Sequence, residues 1–315
     1  MLQNRMLQNS GSLVVTGVDG FVGRHVARQA KSVGMAVHGI GYSGDVDSTI
    51  SESLDSYVAA DLQQGWPSTP RADAVIHLAA LAAVGPSFDQ PQKYIEANSA
   101  MVTHMAESLV SSGFEGTLLT VSSGAVYEPL GDGTQTESSP VGFTSPYVVS
   151  KMLVEHQMDY YRRRGIRAVV TRPFNHIGPG QGPGFLVPDL IQQLVHHDRA
   201  QAMPVGNLGT SRDYLDVRDV ARAYLILATS PAHHHLVYNV CSGVSIRGTE
   251  ILELICAAMG IPVPKTEVDL ARFRPVDAQR ITGSNERLRD EFGWAPRYTL
   301  AQSIADAVAY VTDAQ

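Results

Sequence analysis

The chain contains 315 residues, and 44% of them are hydrophobic, which is enough for a large core divided between two lobes. Its formal net charge of -7 argues against general binding of nucleic acid or of an anionic membrane and favours small-molecule partners. The sequence has no apolar run of the roughly eighteen residues that a membrane span requires, and residues 1–10, where MLQN occurs twice, lack the apolar centre of a secretory signal. We therefore expect a cytoplasmic protein and exclude residues 1–10 from the fold as a duplicated start.

Strands alternate with helices through the first part of the chain. The segment SLVVTG predicts a strand, FVGRHVARQAKSVG a helix closed by Gly34, and MAVHGI a second strand. Further strands are predicted at YVAAD, AVIHLAA, GTLLTVSS and IRAVVTRP, with helices at residues 91–111 and 146–164. This order is typical of an α/β protein with a Rossmann-type, doubly wound parallel sheet that binds ligands at the carboxyl ends of its strands.

The composition changes after the IRAVVTRP strand. NHIGPGQGPG is rich in glycine and proline, FLVPDLIQQLVHH predicts a helix, and RDYLDVRDVARAYLILATS predicts a strand followed by a helix. After the LVYNV strand, two helical stretches are predicted from Val244 onwards. We assign residues 11–173 and 214–243 to a Rossmann domain, and residues 174–213 and 244–315 to a smaller α/β lobe.

Neither cysteine nor histidine patterns predict a metal site. Cys241 and Cys256 have the spacing of neither a metal site nor a redox pair, and Cys256 lies in the apolar pattern of TEILELICAAMG. We interpret both as buried thiols in a reducing compartment. Three successive histidines at residues 233–235 predict a solvated loop, because neighbours in a loop rarely converge on one ion and no acid or cysteine stands at ligand spacing.

The segment TGVDGFVG places Gly17, Gly20 and Gly23 between the first predicted strand and the first predicted helix. Glycines there let the backbone approach a pyrophosphate, and the helix N-terminus offers free N–H groups, so a dinucleotide site is favoured over an ordinary tight turn. An acid at the end of the second strand would select NAD, whereas an arginine would accept NADP. Residues 41–43 contain neither, and Asp45 lies farther along, so the sequence leaves this choice open.

Polar side chains also follow two later strands. Asp61, in ADLQQ, predicts either a contact to the adenine edge or an ordinary helix N-cap. Ser122 and Ser123, in VSSGAVY, end the strand before the helix at residues 146–164, where a hydroxyl could hydrogen-bond a substrate carbonyl. The alternative for these serines is an ordinary polar strand terminus.

In the segment TSPYVVSK, Tyr147 and Lys151 lie one turn apart on the same face of a predicted helix. Ser145 and Pro146 match its N-cap and first position, so the tyrosine stands in the first turn. An ammonium close to the phenol would favour the phenolate and lower its pKa from about 10 towards working pH. The pair alone is also compatible with a solvated helix face. Its occurrence together with a glycine loop and strand-end serines on one sheet favours a catalytic role for Tyr147 and Lys151.

These motifs, together with VIHLAA, RPFNHIGPGQ, RDYLDVRDV, YNVCSG and RPVDAQRITGS, resemble those of the extended short-chain dehydrogenase/reductases that act on nucleotide sugars. The resemblance extends from Ser12 to Val311, and RPFNHIGPGQ is similar to the branch that holds GDP-mannose 4,6-dehydratases and GDP-4-keto-6-deoxymannose reductases. It implies that Tyr147 is the acid/base, that Lys151 binds the nicotinamide ribose and tunes the tyrosine, and that Ser123 is the catalytic hydroxyl.

The resemblance also implies a set of ligand contacts. Asn175 would contact the nucleotide sugar, with Ser87 and Ser123, while Arg212 and Arg274 would hold its diphosphate through paired hydrogen bonds. The implied contacts to NAD or NADP come from the glycine loop, the strand ends and the Tyr147 helix, at Gly17, Gly20, Phe21, Val22, Gly23, Ser43, Asp61, Leu62, Leu78, Ala79, Ala80, Tyr147, Lys151 and Pro173. Family members commonly form homodimers through helices of the first lobe, which we expect here by analogy.

One departure from the family pattern narrows the expected reaction. In the 4,6-dehydratases a carboxylate that removes the sugar C5 proton follows the serine or threonine within two residues, whereas Gly124 and Ala125 follow Ser123 here. We therefore expect NAD(P)H-dependent reduction of the C4 ketone of a nucleotide-linked 4-keto-6-deoxyhexose, with GDP as the nucleotide. The alternatives are a nucleotide-sugar 4-epimerase that retains its NAD, and a non-catalytic sensor of NAD(P) or of a nucleotide sugar; the presence of Ser123, Tyr147 and Lys151 argues against the sensor.

Overall fold

The computed structural model describes residues 11–198, 200–269 and 278–313. Its strands, in chain order, are β1 (Ser12–Thr16), β2 (Ala36–Gly41), β3 (Ser56–Ala59), β4 (Ala74–His77), β5 (Thr117–Val121), β6 (Arg167–Pro173), β7 (Asn175–Ile177), β8 (Met203–Val205), β9 (Ser211–Asp216), β10 (Val237–Val240), β11 (Ser245–Arg247), β12 (Thr266–Val268) and β13 (Arg280–Ile281). The helices of the same residues are α1 (Phe21–Ser32), α2 (Ser48–Ser51), α3 (Val84–Asp89), α4 (Pro91–Ser111), α5 (Pro146–Arg163), α6 (Leu186–His196), α7 (Val217–Thr229), α8 (Gly248–Met259), α9 (Glu286–Phe292) and α10 (Leu300–Asp313).

A seven-stranded parallel sheet forms the centre, with its strands in the order β3-β2-β1-β4-β5-β6-β10. Helices cover both faces, so alternate residues of one strand enter different cores. Leu13 and Val15 of β1 pack in the core that includes α1 and α7, whereas Val14 packs in the core that includes α4 and α5. This arrangement confirms the predicted doubly wound α/β fold.

A smaller group of elements packs around its own apolar core. Strand β9 pairs in parallel with β7 and β13 and antiparallel with β11, and β8 pairs with β12. Helices α6, α8 and α10 contribute Ile191, Ile255 and Ile304 to this core. We propose that these elements form the smaller lobe predicted at residues 174–213 and 244–315.

The helix content after Val244 differs from the two helical stretches that were predicted. The described residues contain three helices there, α8, α9 and α10. Helix α9 escaped prediction because its 7 residues are too few to show a full amphipathic pattern. It is nevertheless anchored by buried Leu288 and Phe292, and it ends at Gly293, whose φ is 63°.

Both cysteines are free and buried, as the sequence predicts. The prediction of a solvated loop at residues 233–235 holds only in part, because the Nε2 atom of His233 lies 2.8 Å from the Leu227 carbonyl and its ring packs against Phe292. Within the described ranges, no helix has the length and apolar character needed to cross a membrane.

The topology gathers the candidate functional loops at one edge of the sheet. Strand β1 lies between β2 and β4, so the strand order reverses there. The loops after β1, β4 and β5 leave from the carboxyl ends of neighbouring strands, where doubly wound sheets bind their ligands. These loops carry the glycine segment, residues 78–80 and the two serines at residues 122–123.

Candidate active site

The start of helix α5 places the Tyr147 side chain. The Ser145 Oγ atom accepts a hydrogen bond from the Val148 backbone N–H at 3.2 Å, and Pro146 is the first helical residue. Both features confirm the predicted beginning of this helix. The tyrosine is only 6% exposed and shares an apolar cluster with Phe174, so its phenol is largely shielded from bulk water.

Lys151 lies one turn farther along α5 and is 4% exposed. Its Nζ atom donates to the Val121 carbonyl at 2.9 Å, at the end of β5, and lies 5.8 Å from the centroid of the Tyr147 ring. Burial lowers the pKa of this lysine from 10.5 to about 8. The side chain is therefore still largely cationic at pH 7, with further protons to donate to a ligand.

The pKa of Tyr147 is raised above its ordinary value of 10. Burial is the largest cause, the hydrogen bond from the Ser123 hydroxyl opposes it, and Tyr94 adds to the rise. The spacing of Tyr147 and Lys151 predicted an ammonium that lowers the pKa of the phenol, but the Lys151 ammonium donates to the Val121 carbonyl, and it is not among the causes of the shift at Tyr147. The phenol is thus protonated at neutral pH, which is the state of a proton donor.

Ser123 is the strand-end serine that lies beside Tyr147. It caps the short 3₁₀ helix Gly124–Val126, and its Oγ atom accepts a hydrogen bond from the Ala125 N–H at 3.1 Å. A hydroxyl that accepts this bond still has its proton to donate to Tyr147 or to a ligand. The Oγ atom of the neighbouring Ser122 is buried and has no hydrogen-bond partner among the described residues.

Gly124 packs closely against the ring of Phe174. A Cβ atom at this position would lie 2.8 Å from the Cδ2 atom and 2.9 Å from the Cε2 atom of that ring, which is itself buried. A larger side chain would therefore have to displace the ring. In this fold the residue directly after Ser123 has no room for a carboxylate, and Ala125 has no ionisable group.

A buried asparagine ties helix α5 to the loop after β4. On α4, Asn98 accepts from the Leu81 N–H at 2.8 Å and donates to the Leu81 carbonyl at 3.2 Å and to the Ser150 Oγ at 2.9 Å. Ser150 in turn donates to the Tyr147 carbonyl at 2.7 Å. Sequence reasoning assigned Asn98 no role, although a polar residue within the apolar face of a long helix was a signal that could have found it.

Thr16 joins the carboxyl ends of β1 and β4. Its Oγ1 atom accepts from the N–H groups of Leu78 and Ala79, both at 3.1 Å, and lies 2.8 Å from the Nδ1 atom of His77. The Leu78 N–H is shared with the Thr16 carbonyl at 3.2 Å, so the hydroxyl either donates to Nδ1 of His77 or accepts from it, according to the tautomer of the ring. The imidazole is neutral in both cases. Burial agrees with this, because it lowers the pKa of His77 to about 3. Sequence analysis did not identify this bond, since its partners are far apart in the chain.

The glycine loop is shaped to receive a phosphate group. Gly17 has a φ of 63°, and a Cβ atom there would lie 2.9 Å from the Ala79 backbone nitrogen. A Cβ atom at Gly23 would overlap the Gly17 carbonyl, and one at Gly20 would lie 3.1 Å from the same oxygen. Side chains are thus excluded from a loop that ends at the N-terminus of α1, where free N–H groups face an anion. The residues present fit the pyrophosphate of NAD or NADP.

The other predicted cofactor contacts surround this loop. They begin α1, follow β2, β3 and β4, or end β6, at Phe21, Val22, Ser43, Asp61, Leu62, Leu78, Ala79, Ala80 and Pro173. Asp61 accepts the Gln63 N–H at 3.0 Å, but residues 62–64 form a turn rather than a helix, so the alternative of a helix N-cap is wrong. Contact of these residues with the cofactor stays a prediction.

The predicted substrate residues lie in different environments. Asn175 is exposed at the start of β7, and Arg212, on the neighbouring strand β9, is half-buried and donates to the Ser211 carbonyl at 2.8 Å. Ser87 is fully buried, and its hydroxyl donates to a carbonyl of its own helix at 2.6 Å. Arg274 lies outside the described residues.

A phosphate-binding glycine loop at the switch point of a parallel sheet, next to a buried tyrosine and lysine, defines a dinucleotide-dependent oxidoreductase. Residues 13–241 match the model of the NAD dependent epimerase/dehydratase family. The chain belongs to this family and is an NAD(P)-dependent enzyme of the extended short-chain dehydrogenase/reductase type, as the sequence motifs predicted.

Individual relatives include a reductase and an epimerase. The chain is 35% identical, over 93% of its length and 94% of the relative, to the GDP-6-deoxy-D-mannose reductase of Pseudomonas aeruginosa. It is similar to the structure of RMD from Pseudomonas aeruginosa complexed with NADPH, with a TM-score of 0.80 and 31% identity over 97% of this chain and 100% of that one. It is also similar to the UDP-glucose 4-epimerase of Thermus thermophilus in complex with NAD, with a TM-score of 0.83 and 25% identity over 96% and 100% of the two chains.

Proposed function

We propose that this protein uses NADH or NADPH to reduce the C4 ketone of a 4-keto-6-deoxyhexose linked to GDP. The 35% identity to a GDP-6-deoxy-D-mannose reductase, over nearly the whole of both chains, supports the substrate class. Within the site, the single observation that separates this reaction from dehydration is the close packing of Gly124 against Phe174.

Gly124 separates reduction from dehydration. Elimination of water from a hexose requires a base that removes the proton next to the ketone, and a carboxylate beside the catalytic hydroxyl would supply it. The 2.8 Å approach that a Cβ atom at Gly124 would make to Phe174 disfavours such a side chain, and neither Gly124 nor Ala125 can accept a proton. Reduction requires no base that removes a proton from carbon, so the absence of this carboxylate does not prevent it.

Tyr147 supplies the proton for reduction. The reaction adds a hydride to the carbonyl carbon and a proton to the carbonyl oxygen, which turns the ketone into an alcohol. The reduced nicotinamide supplies the hydride when it is bound. Burial raises the pKa of Tyr147, which keeps the phenol protonated. The Ser123 hydroxyl, whose Oγ atom accepts from the Ala125 N–H, has its proton available and would donate it to the carbonyl oxygen of the ketone.

Lys151 is placed to bind the cofactor rather than to acidify Tyr147. Its Nζ atom lies 5.8 Å from the centroid of the Tyr147 ring, and the raised pKa of the phenol follows from burial, Ser123 and Tyr94 rather than from this ammonium. The bond from Nζ to the Val121 carbonyl fixes the ammonium and leaves other protons for ribose hydroxyls of the cofactor.

The substrate contacts rest on position and charge. Asn175 presents an exposed amide beside β9, and Arg212 on β9 carries a half-buried guanidinium suited to paired hydrogen bonds with phosphate oxygens. We assign the nucleotide sugar to Asn175 and Arg212. Ser87 is fully buried, with its hydroxyl bonded within its own helix, and Arg274 lies outside the described residues, so contacts from these two rest on the family resemblance alone.

We further propose a cytoplasmic homodimer. Free, buried Cys241 and Cys256 fit a reducing compartment. By analogy with the family, we place the interface on helices α4 and α5 of the first lobe. Light scattering during gel filtration tests the oligomeric state, and a monomeric mass would contradict it.

The reaction is tested with GDP-4-keto-6-deoxymannose and each reduced cofactor. We expect one equivalent of reduced nicotinamide to be consumed for each ketone lost, with a GDP-6-deoxyhexose as the product. Sugar isomerisation without cofactor consumption would identify an epimerase instead. Dehydration of GDP-mannose would contradict the interpretation of Gly124. If the protein binds nucleotide sugars but turns none of them over, the non-catalytic sensor would be the better interpretation.

A further inference from the structure

The end of β2 carries a carboxylate that comes from a different part of the chain. Asp19 belongs to the glycine loop, yet its Oδ2 atom accepts hydrogen bonds from the backbone N–H groups of Tyr42 and Ser43, at 3.2 and 3.4 Å. This contact follows from the register of the sheet, in which Thr16 of β1 pairs with Ile40 of β2. The loops after these two strands are therefore neighbours.

Gly41 leaves the space that this carboxylate fills. A Cβ atom at Gly41 would lie 2.8 Å from the Oδ2 atom of Asp19 and would overlap the hydroxyl of Tyr57. That hydroxyl donates to the Ser43 carbonyl at 2.5 Å. The loop after β2 is thus held around the carboxylate from both sides, and Asp19 takes the place that an acid at the end of β2 would occupy.

We infer that Asp19 makes this enzyme select NAD(H) over NADP(H). In Rossmann folds the adenosine ribose lies at the end of β2, where an acid accepts a hydrogen bond from the 2'-hydroxyl. A carboxylate has about four acceptor sites, so the bonds from Tyr42 and Ser43 leave capacity for a ribose hydroxyl. A 2'-phosphate would bring about two negative charges next to this carboxylate and would compete for the same amides.

The other charges around the end of β2 are of both signs, since Arg24 and Arg28 on α1 act on Asp47 and Arg28 donates to the Thr49 carbonyl. Asp45 and Asp47 follow in the loop after β2 and are exposed. Arg24, the base nearest to the glycine loop in sequence, donates from Nη2 to the Asp19 carbonyl at 3.1 Å, and its Cδ atom would lie 3.6 Å from a Cβ atom at Gly180. Arg24 packs against a loop of the predicted smaller lobe, and it is the residue that would bind a 2'-phosphate if NADP(H) were preferred.

The inference is tested by the affinities of ADP-ribose and 2'-phospho-ADP-ribose, measured by isothermal titration calorimetry on the full chain. Both probes lack nicotinamide, so their affinities depend on neither turnover nor the sugar substrate. The comparison therefore remains valid even if the proposed reduction is wrong. We expect the wild-type protein to bind ADP-ribose at least about tenfold more tightly than 2'-phospho-ADP-ribose. Equal affinities, or tighter binding of the 2'-phosphate, would overturn the inference, and the second outcome would point to Arg24.

Two further measurements test whether the Asp19 charge is the cause. Asp19→Asn keeps the size of the side chain and removes its charge, so it should lower the ratio of the two dissociation constants about tenfold, whereas the control Asp45→Asn should change it less than about twofold. In the wild type, raising the salt concentration should reduce the ratio, because ions screen the repulsion. A ratio of dissociation constants that neither Asp19→Asn nor salt alters would overturn the assignment. If the variant fails to fold, a wild-type ratio that does not change with salt would overturn it on its own.

Discussion

Lys151 should destabilise the cofactor-free protein, because the fold buries its charge beside few acceptors. The side chain is 4% exposed, its Nζ atom donates to the Val121 carbonyl, and burial lowers its pKa from 10.5 to about 8. At about 1.4 kcal/mol per pH unit, this lowering corresponds to about 3 kcal/mol of free energy that opposes folding at pH 7. Lys151→Met keeps the length of the chain and removes the charge, but it also removes the bond to Val121. We expect the variant to gain about 1–3 kcal/mol in its free energy of unfolding and to lose activity.

The gain should depend on pH in a defined direction. Below about pH 8 the lysine is protonated in both the folded and unfolded states, so the wild type carries the full cost. Between about 8 and 10.5 the folded state loses the proton while the unfolded state keeps it. The unfolded state then binds more protons, and the stability of the wild type rises with pH. The advantage of Lys151→Met should therefore be largest below pH 8 and shrink towards pH 10.5.

Urea denaturation of the cofactor-free proteins measures this difference, with wild type and variant compared at each pH so that other titrating groups cancel. Lys93→Met on α4 is the matched control, because Lys93 is exposed and its removal should change stability by less than about 0.5 kcal/mol. A Lys151→Met protein that is no more stable than the wild type at pH 7, or whose advantage does not vary with pH, would refute the reasoning.

Three other substitutions test separate parts of the site. Tyr147→Phe should lower kcat by about a hundred- to ten-thousand-fold with cofactor affinity nearly unchanged, because only the proton donor is lost; steady-state kinetics within a few-fold of wild type would remove Tyr147 from the chemistry. Gly124→Val should lower the free energy of unfolding, measured with heat or urea, by about 1–3 kcal/mol, because its Cβ atom would approach Phe174 to 2.8 Å. The control Ala125→Ser, at a half-buried position, should lower it less, and equal losses would contradict the packing argument. Thr16→Val should lower the free energy of unfolding by about 1–3 kcal/mol, because the Ala79 N–H and the His77 Nδ1 lose their partner. Thr16→Ser keeps the hydroxyl and should retain most of the wild-type stability. Identical stabilities of the two variants would exclude this role of the hydroxyl.

The fold was predictable because its strongest signals are local. The glycine loop, the apolar strands and the helix that begins at Ser145 and Pro146 depend on residues close together in the chain, and each lies where the pattern placed it. Helix α9 was missed because its stabilisation comes from tertiary burial of Leu288 and Phe292 rather than from a periodic sequence. The local pattern therefore predicts the central sheet better than the short elements after Val244.

The candidate site was predictable only where its chemistry lies in one segment. Tyr147 and Lys151 are four residues apart, so their shared helix face follows from the sequence. Whether the ammonium contacts the phenol or the Val121 carbonyl depends on how β5 packs against α5, and the sequence does not contain that distance. The links from Asn98 to Ser150 and from Thr16 to His77 likewise span 52 and 61 residues, and no local pattern joins them.

The same burial that costs stability also gives the site its reactivity. Water exclusion raises the pKa of Tyr147 and keeps it protonated, while it lowers the pKa of Lys151 and leaves the ammonium with unused donors. A bound cofactor that offers hydroxyl acceptors to Lys151 would relieve part of this cost, so the burial of this charge would contribute to cofactor binding. Asp19 acts at the opposite end of the same ligand, where a carboxylate fixed by the Tyr42 and Ser43 amides meets the adenosine ribose. The glycine loop would hold the pyrophosphate between these two charges, and its position at the strand reversal would let one short segment set both cofactor orientation and cofactor choice.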